Sequence, residues 1–379
     1  MNHPNSLSFW ERESFLKDID VAIIGCGIVG LSTALSLRER YKSLRIAIIE
    51  RGALPEGAST RNAGFACFGS ITELMDDLET TSPNEVFALV EKRYRGLLRL
   101  RQRVGDAHMS YEPTGGFEIF KHTEGDVLES CMDMLSYFNK NVAPIVGRAD
   151  NYQVIKQDFG FKNVNDIKIW NTTEGLIDSG RTMQRLLQLA YEKNIVIFNG
   201  LKIKDLHNYT EGVILESEDG WSVNAKKVVV ATNGFAWRLM PHLAVKPARN
   251  QVLITEPLPH VPFKGGFHYD KGYFYFRNVG NRILLGGGRH LALEEEMTDA
   301  FGHTELIQKN LIRLLQETIL PNQSFNVDMW WSGIMGIGSV KKPIIQHVAP
   351  NIIVAVRMGG MGVAIGSLVG EEAADLVDI

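Results

Sequence analysis

Six residues, Gly25-Cys26-Gly27-Ile28-Val29-Gly30, have the G-x-G-x-x-G spacing that holds a dinucleotide. The first glycine permits a tight turn, the second lets a pyrophosphate approach the backbone, and the third lets a helix pack close to a strand. Amides at the helix start then face the diphosphate, and the helix dipole favours its charge. Further on, Glu50 stands where a ribose 2′-hydroxyl would be held. An acid there repels the 2′-phosphate of NADP, an argument that neighbouring Arg51 blunts, so FAD and NAD both stay open. A second stretch, Gly57-Ala58-Ser59-Thr60-Arg61-Asn62-Ala63-Gly64-Phe65, lacks bulky side chains where a flat ligand or a phosphate needs backbone contact. It also reads as a plain loop capped by Ser59. A third, Gly359-Gly360-Met361-Gly362-Val363, is a glycine turn opening a helix, a second dipole-based anion site.

The elements around these residues are in register with them. Val21-Ala22-Ile23-Ile24 is a short apolar run of the kind a buried parallel strand requires. A helix follows to about Tyr41, then a strand from Leu44 to Ile49 that ends at Glu50. Strand, turn, helix, strand and acid together carry the nucleotide reading, which the glycines alone would not. Residues 84–104 form a long helix with an apolar stripe and an arginine-rich, solvated face. Residues 115–120 read as a turn and strand, and a helix covers about 125–140 with Cys131 in its core face. A helix over about 179–193 precedes strands at 195–198, 202–204, 213–215 and 228–230, the last ending in Ala231-Thr232-Asn233-Gly234. After Pro247 come a strand at 249–255 and an antiparallel hairpin, 272–277 with 282–288. Thr304 caps a helix over about 305–319, and a strand at 352–356 leads through the glycine turn to a helix ending near Val377.

Composition excludes several classes. With 379 residues, 45% apolar and 22% charged, the chain is ordinary globular material for two interlocked domains. A net charge of −4 gives no electrostatic footprint for nucleic acid. No apolar run reaches the roughly 18 residues of a membrane helix. The first 18 residues lack a signal peptide's basic start and apolar core. Trp10, Phe15 and Leu16 are expected to pack this arm on the body, a disordered arm being the alternative. Three cysteines without a CxxC pair suit a cytoplasmic protein and argue against a flavin disulfide reductase. No HExxH, G-x-S-x-G or P-loop motif occurs, so no metal site is expected.

Taken with GAST-RNAG and VVVATNG, the glycine turn resembles the D-amino-acid oxidase-like family of FAD-dependent oxidoreductases. That group includes glycine oxidase, sarcosine oxidase and gamma-glutamylputrescine oxidoreductase, and YFYFR…NRILLGGG looks closest to the last branch. The resemblance implies an α/β fold: a Rossmann-type FAD-binding domain interleaved with an α+β substrate domain built on an antiparallel sheet. It places the FAD-binding domain at 19–80, 176–236 and 337–379, and the substrate domain at 81–175 and 237–336, behind the arm 1–18. Ser59, Thr60, Asn62, Ala63, Gly64 and Phe65 would touch the cofactor, as would Ala231 and Thr232, with the Ile203 backbone meeting the adenine. The helix opened by Gly359–Val363 would point at the flavin pyrimidine edge.

The implied reaction is hydride transfer from a carbon bearing an amine to flavin N5, giving an imine that water hydrolyses. Tyr273, Tyr275 and Arg277 on the hairpin are candidates to position a small amine or amino acid, the arginine by clamping a carboxylate. No dedicated base is assigned. Three departures from the family's pattern qualify this picture. Met335 stands where glycine oxidase-like members carry an arginine for the substrate carboxylate. No cysteine follows Cys131, which implies non-covalent FAD. The apolar run Ile283-Leu284-Leu285 replaces an oxygen-activating lysine, leaving the acceptor as oxygen, a quinone or another carrier. A hydroxy-acid or polyol dehydrogenase and a non-catalytic flavin-binding protein are the alternatives.

Overall fold

The computed structural model describes residues 7–379. The chain builds two sheets of eight strands each and one two-stranded pair. In the first, Ile352–Val356, Ser222–Val230, Ile19–Ile24, Ile46–Ile49 and Val196–Phe198 lie side by side in that order, all parallel. Their apolar runs are unbroken because both faces are covered. One face packs on the helices Ile28–Arg40, Pro83–Val104, Ser179–Glu192 and Gly362–Asp375. The other lies under the hairpin Ile203–Tyr209/Gly212–Ser217 and the Leu239–Leu243 segment. Ile344–Ala349 closes one edge as an antiparallel strand. Gly30 sits where the first helix crosses the first strand: a Cβ there would stand 1.9 Å from the Gly25 carbonyl oxygen.

The second sheet runs Val327–Ile337, Lys246–Thr255, Arg282–Gly287, Phe274–Val279, Gly266–Tyr269, Gly116–Ile119, Ile167–Asn171, Tyr152–Lys156. All neighbours are antiparallel except Gly266–Tyr269 and Gly116–Ile119, which are parallel. Its outer face buries a stack of Phe117, Phe267 and Phe276 under the helix Glu305–Leu314. On its inner face Tyr275, His268 and Glu118 occupy directly opposed positions on three adjacent strands. Among the described residues no helix is long and apolar enough to cross a membrane.

Several expectations are corrected. The arm does not pack through its aromatics: Trp10 is 72% and Phe15 52% exposed, and only Leu16 reaches the core. The helix expected to end near 140 runs from Gly125 to Val146, taking Pro144 into its last turn before Gly147 closes it in the left-handed region. The helix Pro83–Val104, expected in the substrate domain, joins two cores: Val86 and Val90 pack with Phe120, Phe138 and Tyr152, while Leu97, Leu100 and Val104 pack with Ile28, Leu31 and Val369. The helix Ile71–Thr80 and the strands Tyr152–Lys156, Ile167–Asn171, Gly266–Tyr269 and Ile344–Ala349 were not anticipated.

Candidate active site

A cavity of about 530 Å³ lies between the C-terminal ends of the parallel strands, at Ile24, Glu50 and Ala231, and the inner face of the second sheet, at Val252, His268 and Tyr275. Gly25, Gly27, Ile28, Val29, Glu50, Arg51, Ser59, Asn62, Ala63, Phe65, Ile203, Ala231, Thr232, Gly359, Gly360, Met361, Gly362, Val363, Tyr273 and Tyr275 all line it. Four anticipated residues do not. Gly30 holds the helix–strand crossing, and Thr60 donates its hydroxyl to the Pro55 and Gly57 carbonyls. Gly64 takes a left-handed turn with φ +77°, where a Cβ would lie 2.3 Å from the Ile177 carbonyl oxygen.

Arg277 is the fourth and is a correction. It is buried, and its guanidinium donates to the carbonyls of Gly64 at 2.9 Å and Ile177 at 2.7 Å. Burial lowers its pKa, but only to about 10, so it stays charged. It grips the turn beneath the cavity and has no contact with the space a carboxylate would occupy.

At the nucleotide end, backbone amides are already organised. Glu50 accepts from the amides of Cys26 at 3.0 Å and Gly52 at 3.1 Å, one per carboxylate oxygen. Each oxygen keeps capacity for a ribose hydroxyl. Ser59 Oγ accepts from the Ile28 amide at 2.9 Å and ties the second small-residue stretch to the first. The Arg51 guanidinium lies 3.7 Å from the centre of the Phe235 ring. The helix Gly362–Asp375 starts at the cavity wall without a side-chain cap, so the amides of its first turn and the positive end of its dipole face the space. Thr232 Oγ1 is buried in the wall without a hydrogen-bond partner. Bare amides, an acid at the ribose position and unpaired polar atoms along one cavity fit a flavin dinucleotide.

The other end is charged. Glu73 and Asp76 on the helix Ile71–Thr80 meet Lys341 and Lys271: Glu73 is 3.5 Å from Lys341, and Asp76 is 3.1 Å from Lys271. Burial pushes the Glu73 carboxyl up, but the Arg93 guanidinium and Lys341 ammonium outweigh it and hold it below its ordinary value. Lys271 is in the middle of three successive residues with positive φ, Asp270, Lys271 and Gly272, which turn it into the cavity. Arg289 also lines the space, half-buried, and among the described residues joins no ion pair. Burial lowers its pKa from the ordinary arginine value. The Tyr275 hydroxyl accepts from Asn250 at 3.2 Å, leaving its own proton free to donate. Burial pushes its pKa up, so it stays a phenol. Tyr273 is in the turn before the strand, its ring 4.2 Å from that of His290.

Sequence reasoning missed Arg289, His268, Asn250, Lys271, Lys341 and Glu73. Arg289 directly follows the Gly286-Gly287-Gly288 run, a usable signal that an element ends there and a side chain is re-aimed. The others meet only through sheet register and the packing of an unanticipated helix.

The comparisons agree with this geometry. The family model described as "FAD dependent oxidoreductase" (DAO) matches residues 20–376, and the chain belongs to that family. It is 23% identical to the gamma-glutamylputrescine oxidoreductase of Escherichia coli strain K12, over 94% of this chain and 83% of that one. It is 22% identical to the glycine oxidase of Geobacillus kaustophilus, over 95% and 93%. The solved glycine oxidase of that species superposes with a TM-score of 0.73 at 21% identity, covering 94% of each chain. The L-proline dehydrogenase of P. horikoshii gives 0.75 at 17%, covering 96% of this chain and 94% of that one. The fold class is therefore as expected, the cofactor is FAD, and the chain is an enzyme oxidising amine or amino-acid substrates.

Proposed function

We propose that this enzyme binds FAD non-covalently and oxidises the C–N bond of a small amine carrying a carboxylate, giving an imine that water hydrolyses. Arg289 carries the reading: it lines the cavity with, among the described residues, no carboxylate partner and no hydrogen bond, whereas Arg61 is committed to the Glu56 and Ser332 carbonyls and Arg277 to those of Gly64 and Ile177. When bound, FAD supplies the two-electron acceptor for the substrate's hydride, at N5. Arg289 clamps the substrate carboxylate through paired charge-assisted hydrogen bonds. Tyr275 donates to a second polar group of the substrate. Val252, Leu284 and Ala63, packed with Phe65 and Trp331, form a dry wall that excludes water from the reacting carbon. Uncapped amides at Gly362 and Val363 offer positive potential to negative charge developing beside them.

Purified protein, reconstituted with FAD, should show a flavin spectrum that is bleached anaerobically by one class in a panel of amines, amino acids and N-substituted amino acids. Bleaching by hydroxy acids alone would refute the amine assignment. Reoxidation compared between air and a soluble quinone identifies the acceptor, which is oxygen or a quinone-type carrier.

A further inference from the structure

A substrate amine arrives protonated and cannot release a hydride from its carbon until nitrogen has a free lone pair. One group is placed to take that proton. His268 is buried in the inner face of the roof sheet and lines two cavities at once: the main one, and a second of about 10 Å³ behind it. The second also touches Glu174, Glu118 and Asn171. Its volume is that of a single water molecule. His268 Nε2 is buried without a hydrogen-bond partner, and so is Asn171 Nδ2. Glu174 Oε2 lies 3.9 Å from His268 Nε2, a separation that one water spans. Gly116 keeps this space open, since a Cβ there would lie 2.1 Å from Glu174 Oε2.

We propose that His268 and Glu174 form a proton relay that deprotonates the substrate ammonium. The N–H bond of the ammonium breaks, its electron pair stays on nitrogen, and the proton bonds to the His268 ring nitrogen on the cavity side. The ring's opposite nitrogen releases its proton, by way of the small cavity, to Glu174. The neutral imidazole is restored, and Glu174 holds the proton as a carboxylic acid until product leaves. No redox partner is needed beyond the established one.

The surroundings suit both roles. Burial lowers the His268 pKa, so the ring is neutral and able to accept. Burial, against the hydrogen bonds from the amides of Phe68 and Gly69, pushes the Glu174 carboxyl up to about 7. Facing the pair are Glu73 from the helix Ile71–Thr80, Arg93 from Pro83–Val104, Cys67, and Glu118 and Tyr152 from the sheet. Glu73 keeps its charge against Arg93 and Lys341, so Glu174 and Glu118 are the carboxyls that can change protonation here.

The relay rests on the amine-oxidation reading, and the test separates the two. Holoenzyme of wild type, E174Q and H268N is mixed anaerobically with the amine that bleaches wild type, and the limiting reduction rate is followed against pH. If no amine reduces wild type, the amine reading fails. If one does, wild type should gain rate as pH rises through about 7, and E174Q should lack that step. At about pH 8, where the amine is still charged, E174Q and H268N should be slower by about 10²-fold, the usual reach of general-base catalysis. Above the amine's own pKa, about 10 for an alkyl amine, the three should converge, because the substrate then binds neutral. A deficit equal at all pH values would mark a merely structural role and overturn the relay, as would an unchanged profile. Infrared difference spectra supply a readout independent of turnover. Substrate binding should raise a protonated-carboxyl band in wild type that is missing in E174Q, and its persistence in E174Q would also overturn the assignment. The amide introduced by E174Q retains an oxygen for the Phe68 and Gly69 amides, so this variant should keep its flavin spectrum.

Discussion

Arg277 on the hairpin and Arg289 in the 3-10 turn that follows it do opposite work. Arg277 is consumed by the carbonyls of the Ala63–Gly64 turn and Ile177, while Arg289 keeps its donors for the cavity. Substitution separates them. Arg289→Met should lower kcat/KM for a carboxylate-bearing amine by about 10- to 100-fold, the equivalent of the roughly 1.5–3 kcal/mol in a charged hydrogen bond. An amine without a carboxylate should be nearly unaffected, and steady-state kinetics on such a matched pair would expose a wrong assignment if both fell alike. Arg277→Met should instead weaken FAD retention and lower the melting temperature without discriminating between the two substrates. Equilibrium dialysis of FAD and a thermal melt check it. Both arginines were visible as residues in the sequence. Which of them faces ligand was not, because strand alternation puts Tyr275 and Arg277 on one face and only the depth of the cavity decides where that face stops being ligand wall.

At the scale of elements, the site depends on how closely helices approach. Gly96 lies where the helix Pro83–Val104 crosses the start of the C-terminal helix, and a Cβ there would be 2.4 Å from the Ala364 carbonyl oxygen. Gly96→Ala should therefore displace the uncapped helix start, at a cost of about 1–3 kcal/mol for overpacking. Denaturant titration would register the loss, and FAD should dissociate more readily. An unchanged FAD affinity would show that the helix start is not part of the cofactor wall. The nucleotide half was legible because its strands, such as Val21–Ile24 and Val228–Val230, are buried on both faces and read as apolar runs. The outer strands were not. Tyr152–Lys156 and Ile167–Asn171 pair with each other but mix lysine, glutamine and asparagine into five-residue segments, and the second joins the sheet through Gly116–Ile119, about 50 residues earlier. Gly266–Tyr269 has four residues, too few to show a period, yet it carries His268. The substrate end was therefore legible only in its tyrosines.

For the whole molecule, two buried carboxyls tie folding to pH. Burial raises Glu118 and Glu174 to about 7 from the ordinary value of 4.5. Below about 4.5 both folded and unfolded chains hold these protons, and the contribution to stability is complete. Between about 4.5 and about 7 the unfolded chain ionises first, so stability is lost as pH rises, and above about 7 the loss is full. For one such group this is of the order of 3 kcal/mol. E174Q cannot ionise, so its melting temperature relative to wild type should be more favourable at about pH 8 than at about pH 5. A constant difference across that range would mean the carboxyl titrates normally. The same architecture also sets a schedule. The cavity wall begins at Ile24 and is completed by Gly359–Ala364, and the parallel sheet receives the strand Ile352–Val356 beside one made from residues 222–230. Until residues 352–364 have been made and docked, the cofactor half is open along one edge. Capture of FAD thus waits for this late segment of the cavity wall, and until it docks the apolar edge Val228–Val230 is a surface for chaperones to shield.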